Sequence, residues 1–222
     1  MYTTAEENYL KAIYKLQKAN GQPAQTGALA EVFGIQAPSV TDMLKKLAEK
    51  HLVKYEKSRG VTLTADGLIV AVRIIRHHRI WETFLVRTLG FGWDQVHELA
   101  EQLEHVRSEE IVNRLEQFLQ FPRFDPHGDP IPDRHGNIPE QNILLLSDAI
   151  PGQWYELTGI ADTSQEFLQY LDRLSLAPGS RFRYQHLEPF DGSVHVQGAG
   201  EKDFLLSHSV ANRLRVVPIT VG

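Results

Sequence analysis

The chain has 222 residues, 42% of them hydrophobic, and a formal net charge of -5. That is enough apolar material for ordinary cores and too much for a disordered chain; no apolar run approaches the roughly 18 residues of a membrane span. There is no cysteine, so disulfides, zinc-thiolate sites and thiol nucleophiles are excluded, and any metal must be held by oxygen and nitrogen. The acidic start without an apolar h-region points to a cytoplasmic protein. Residues 1–60 carry +3 and residues 61–222 carry -8, so a nucleic-acid surface belongs in the N-terminal quarter.

In chain order, Tyr9, Ile13 and Leu16 recur at helical spacing and predict a helix over 4–18, broken by Gly21-Gln22-Pro23. A short helix over 26–32 follows, then one over 37–51 with Pro38 in its first turn, where a missing N–H costs little. Residues 52–64 alternate around Ser58-Arg59-Gly60 and predict a hairpin. Long helices are expected over 66–89 and 93–119, separated by Gly90-Phe91-Gly92. Residues 121–141 read as a Pro-, Gly- and Asp-rich linker. Beyond it, short alternating runs around one helix at 164–174 suggest a small β-barrel. The chain is thus mainly α with a small β part: a winged helix-turn-helix over 1–64, a helical region over 65–141 and a β domain over 142–222.

Helix, short helix, turn, helix and hairpin is the winged-helix order. The third helix fits a major groove, with Gln36, Ala37, Pro38, Ser39, Thr41 and Asp42 at its leading end and Lys45 and Lys46 placed for phosphates. In the hairpin, Lys54, Lys57 and Arg59 suit phosphate or minor-groove contact. The bland alternative is a small stable domain with solvated lysines. His97, Glu101, Glu104 and His105 share one arc of the predicted helix 93–119, beside its apolar face. Such groups next to a core require pairing or a cation. His78 and Glu82 stand one turn apart on the preceding helix and would converge with His97 if the two helices pack antiparallel. Taken alone, each group is more often a solvated or ion-paired helix face, with Arg107 and Arg114 as available partners. The apolar face continuing through Ile111, Leu115 and Phe118 suggests a dimer interface.

Five stretches together resemble the diphtheria-toxin-repressor and manganese-transport-regulator family: EENYLKAIYKL, APSVTDMLKKLAEKHLVKYEKSRGVTLTADG, HHRIWETFL, VHELAEQLEHVRSEE and DPHGDPIP. The region after residue 142 is similar to the SH3-like, FeoA-type domain of longer members. The resemblance implies a metal-dependent homodimeric repressor, not an enzyme, that binds palindromic operator DNA of metal-uptake genes. It carries a primary metal site onto Asn8, Glu101, Glu104 and His105, and an ancillary site onto His78, Glu82 and His97. Asp162, Glu166, Asp125 and His127 are candidate extra donors.

Iron-sensing relatives have sulfur donors where this chain has Asn8 and Glu101, so the hard donors favour Mn2+, with Fe2+ as the alternative. Lys11 stands where short manganese regulators place a carboxylate, which argues against a close binuclear site. A metal-independent DNA architectural protein is the alternative of a different class. An enzyme with a catalytic metal would leave the winged helix without a role. On these grounds Glu104→Ala is expected to leave the fold intact and abolish metal stimulation of DNA binding.

Overall fold

The computed structural model describes residues 2–139, 143–198 and 203–220. The chain forms two compact units: Met1–His78 with Gln102–Asn113 and Pro132–Asn137, and Arg79–Glu101 with Arg114–Ile131 and Ile138–Gly222. The boundary expected at 141/142 lies outside the described residues.

The first unit begins with α1 (Thr4–Asn20), α2 (Thr26–Phe33) and α3 (Ala37–Glu49), followed by the hairpin β1 (Val53–Glu56) and β2 (Gly60–Leu63). A capping box starts α1: the Thr3 hydroxyl accepts from the Glu6 N–H, and the Glu6 carboxylate accepts from the Thr3 N–H. Gly21, at φ +63°, ends it in the left-handed conformation that favours glycine. Leu10, Ile13, Leu29, Val40, Leu44, Leu47 and Val61 form the core of this module. Ala24 exchanges two backbone hydrogen bonds with Val61, so β2 is held on both edges, by β1 and by Ala24.

Three more helices, α4 (Ala65–Arg87), α5 (Val96–Leu103) and α6 (Glu109–Phe118), carry the chain through both units. The single helix expected over 93–119 is therefore two. The break has a local cause. Val106 N–H turns back to the Leu103 carbonyl, and Ser108 caps α6, its hydroxyl 3.3 Å from Ile111 N. Glu109 and Glu110 then sit in the first turn, where the helix dipole favours acids. Glu104 and His105 accordingly leave the helix rather than riding on its face.

The β domain contains β3 (Leu144–Leu145), β4 (Trp154–Ile160), β5 (Arg181–Leu187), β6 (Val194–Gly198), β7 (Asp203–Leu206) and β8 (Leu214–Ile219). They form one antiparallel sheet in the order β3-β8-β4-β5-β6-β7. Helices α7 (Gln165–Leu174) and α8 (His208–Ala211) complete it. Tyr155, Leu157, Phe182, Tyr184, Val196 and Leu214 are buried with Leu168 and Leu171 of α7. Among the described residues, no helix is long and apolar enough to cross a membrane.

Candidate metal centre and DNA-reading face

On α3, Val40, Leu44 and Leu47 point into the core at i, i+4 and i+7. The opposite face is therefore free. Gln36, Ala37, Pro38, Ser39, Asp42, Lys45 and Lys46 are exposed, and Thr41 is half-buried. Lys54, Lys57 and Arg59 are exposed on the hairpin. Among the described residues, these side chains make two ion pairs, Lys45–Asp42 and Arg59–Glu56, both solvent-exposed and both at 3.5 Å. Pairs of that kind contribute little and open readily to phosphate.

Within the first unit, Glu104 is fully buried. Lys11 Nζ lies 2.6 Å from its Oε1 and 2.8 Å from its Oε2, and His78 Nδ1 lies 2.6 Å from Oε2. Burial works to raise the Glu104 pKa, but His78 and Lys11 together outweigh it and hold the carboxyl below its ordinary range. His105 Nδ1 is 2.7 Å from Glu7 Oε2, and Arg73 braces the other Glu7 oxygen at 2.9 Å. Glu7 is a partner that the sequence reading missed; its signal was only its place beside Asn8. The Asn8 amide oxygen is buried with no hydrogen-bond partner. A cavity of about 240 Å³, lined by Tyr2, Glu7, His77, Glu104 and His105 among others, opens beside these groups.

Within the second unit, Glu82, Asp125 and His127 are all buried, and one donor atom of each lies within 4.8 Å of the others. Asp125 Oδ1 accepts from the N–H groups of His127 and Asp129, which closes a tight turn and leaves Oδ2 to face the cluster. Arg79 Nε is 3.6 Å from that Oδ2, and Arg79 Nη1 donates to the Pro130 carbonyl. The ring nitrogen His127 Nε2 is 2.8 Å from the Trp93 carbonyl, so it carries a proton there and turns Nδ1 toward Glu82, 3.6 Å away. His97 Nδ1 meets the other Glu82 oxygen at 3.1 Å. Glu101 stands one turn on, half-exposed, 3.6 Å from His97 Nε2. Asp162 pairs with Arg213 at 3.0 Å and accepts from Ser164 N. Glu166 is exposed in the first turn of α7.

Glu82 and Asp125 are buried beside His127, with Arg79 near Asp125 and His97 on Glu82 as further partners. Burial, Glu82 and Asp129 push Asp125 up to about 7. Burial works to lower His127, yet Glu82 and Asp125 prevail and raise it to about 9. The donors are the hard oxygen and imidazole types that divalent cations accept. Both groups hold protons near neutrality that a metal must expel. Acid therefore opposes binding, and metal affinity should rise with pH between about 6 and 9. Manganese calorimetry at pH 7 in buffers of different ionisation enthalpy should show proton release. A buffer-independent heat would contradict this assignment.

A buried hard-donor cluster joined in one chain to a winged helix with a free reading face defines a metal-responsive DNA-binding regulator. Residues 1–61 match the iron dependent repressor N-terminal DNA binding domain, residues 64–133 the iron dependent repressor metal binding and dimerisation domain, and residues 144–218 the FeoA domain. The iron-dependent repressor IdeR of Mycobacterium tuberculosis is 27% identical over 222 residues, spanning 95% of each chain. The HTH-type regulator MJ0568 of Methanocaldococcus jannaschii is 40% identical over 114 residues, 51% of this chain and 91% of that one. The solved structure of a manganese-dependent transcriptional repressor in complex with manganese superposes with a TM-score of 0.87 at 34% identity, covering 96% of this chain and 100% of the other. The chain belongs to the iron-dependent (diphtheria toxin) repressor family of metal-dependent transcriptional repressors.

Proposed function

We propose that this repressor responds to Mn2+ and, as a homodimer in the cytoplasm, binds palindromic operators of metal-uptake genes. The observation that carries the reading is the buried cluster of Glu82, Asp125 and His127, with His97 on the second Glu82 oxygen. These donors and the absence of cysteine suit a hard ion. Asn8, Glu104 and His105 offer a second set of donors. An ion held by all three ties α1 of the DNA-reading module to the segment after α5. The bound ion supplies positive charge and fixed geometry; the protein residues convert these into a set position for the reading head. Metal shifts the population toward the DNA-competent arrangement only through tighter binding to it. Ile111 and Phe118, exposed on α6, and half-buried Leu115 support pairing of two copies through this helix. We take 1–64, 65–141 and 142–222 as the DNA-reading, metal and dimerisation, and FeoA-type regions.

Iron remains the second reading because iron-dependent repressors are among the relatives. Fluorescence anisotropy on DNA from upstream of a metal-transporter gene, at fixed salt, separates the two. Mn2+ should tighten binding about tenfold or more, by roughly 1.4 kcal/mol or more, and chelator should reverse it. Greater potency of Fe2+ would replace manganese by iron, and equal affinity with metal and chelator on several such fragments would overturn metal gating.

A further inference from the structure

We propose that Lys11 is a built-in rival of the metal at the Glu104–His105 site: its ammonium holds the Glu104 carboxylate until a divalent ion displaces it, and this sets the metal concentration at which the site fills. The inference rests on the metal reading above and deepens it.

Lys11 contacts both Glu104 oxygens, and the two side chains are 8% and 0% exposed. It follows Asn8 by three residues on α1, so ammonium and amide oxygen leave neighbouring parts of one helix face. A divalent ion on either Glu104 oxygen would lie within a few ångströms of this ammonium, in a poorly screened interior. The two cations repel, so one excludes the other. The lysine stem is long and flexible enough to withdraw its head group. Loading is then an exchange of cation for cation. Glu104 is never left as a bare buried carboxylate, a state that costs several kcal/mol. His105 has a comparable holding partner in Glu7. The same logic gives the metal-free protein an intact first unit, and it makes the threshold a property of residue 11.

Manganese binding is followed by the electron paramagnetic resonance signal of free Mn2+. Glu82→Gln is carried in every protein compared, which disables the other cluster. Lys11→Met, which keeps the stem and removes the charge, should tighten binding about tenfold or more, whereas Lys11→Arg should give no gain. Equal binding by Lys11→Met and its parent, or an equal gain by Lys11→Arg, overturns the proposal. If Lys11→Met does not fold, displacement is read on the unmodified protein. Reductive methylation of Lys11, quantified by mass spectrometry, should rise severalfold in saturating manganese relative to chelator; equal labelling overturns it. Manganese binding by neither the Glu82→Gln parent nor its Lys11→Met derivative overturns this proposal, and the metal reading falls with it only if the protein with Glu82 intact binds no manganese either. Equal, measurable binding by both overturns only the role of Lys11.

Discussion

Glu104→Ala should lower the stability of the metal-free protein by about 3–5 kcal/mol, a fall of roughly 10 °C in the unfolding midpoint. The substitution takes from Lys11, 6% exposed inside the first unit, the carboxylate that meets it through both oxygens, and takes one acceptor from His78. Neither partner is open enough to solvent for water to compensate. The burial of Glu104 thus changes the expectation, drawn from sequence, that this variant folds normally. The double replacement Lys11→Met/Glu104→Met should recover most of the loss, because an apolar pair of similar size replaces a buried ion pair at little cost. Thermal and urea unfolding in chelator provide the measurement. A Glu104→Ala protein within about 1 kcal/mol of its parent would show that the Lys11–Glu104 pair contributes nothing beyond an exposed ion pair.

Gly128→Ala should be comparably severe, for a steric reason. Gly128 has φ +82°, and a Cβ there would stand 1.9 Å from the Thr158 carbonyl oxygen and 2.4 Å from Gly159 Cα. The turn cannot retreat easily. Ile160 N–H donates to the His127 carbonyl, Asp125 and Asp129 hydrogen-bond across the turn, and Arg215 holds Asp129. Strain of this size costs roughly 2–4 kcal/mol. It falls on the segment that presents Asp125 and His127, so manganese affinity at the Glu82 cluster should drop by about a hundredfold, in line with misplacing a ligand by an ångström. Calorimetry with the folded variant checks this; unchanged affinity would mean that the turn does not position the donors.

The DNA-reading module was legible almost residue by residue, because its signals are local. Tyr9, Ile13, Val40, Leu44 and Leu47 declare helix faces by spacing alone, and Ser58-Arg59-Gly60 declares the turn of the wing. The donor residue types were also legible. Their partners were less so. Lys11 and Glu104 are 93 residues apart, and His78 and Glu104 are 26 apart. No periodicity encodes contacts that depend on how helices pack. The break at 104–108 was missed because the apolar pattern runs on through Val106, while the cap signal was one serine followed by two glutamates. Asp125 and His127 entered through resemblance only. A Pro- and Gly-rich loop has no repeat, and its closure over Glu82 rests on backbone bonds to β4 and on the Trp93 carbonyl.

The Glu82–Asp125–His127 cluster contains only carboxylate and imidazole donors, and the chain has no thiol. Sulfur ligands are the atoms that peroxide converts to sulfenic and higher acids. A sensor built from oxygen and nitrogen has nothing on that ladder to lose. Peroxide therefore finds no ligand sulfur in this cluster to oxidise, and manganese should still bind it after a peroxide treatment that would destroy a thiolate site.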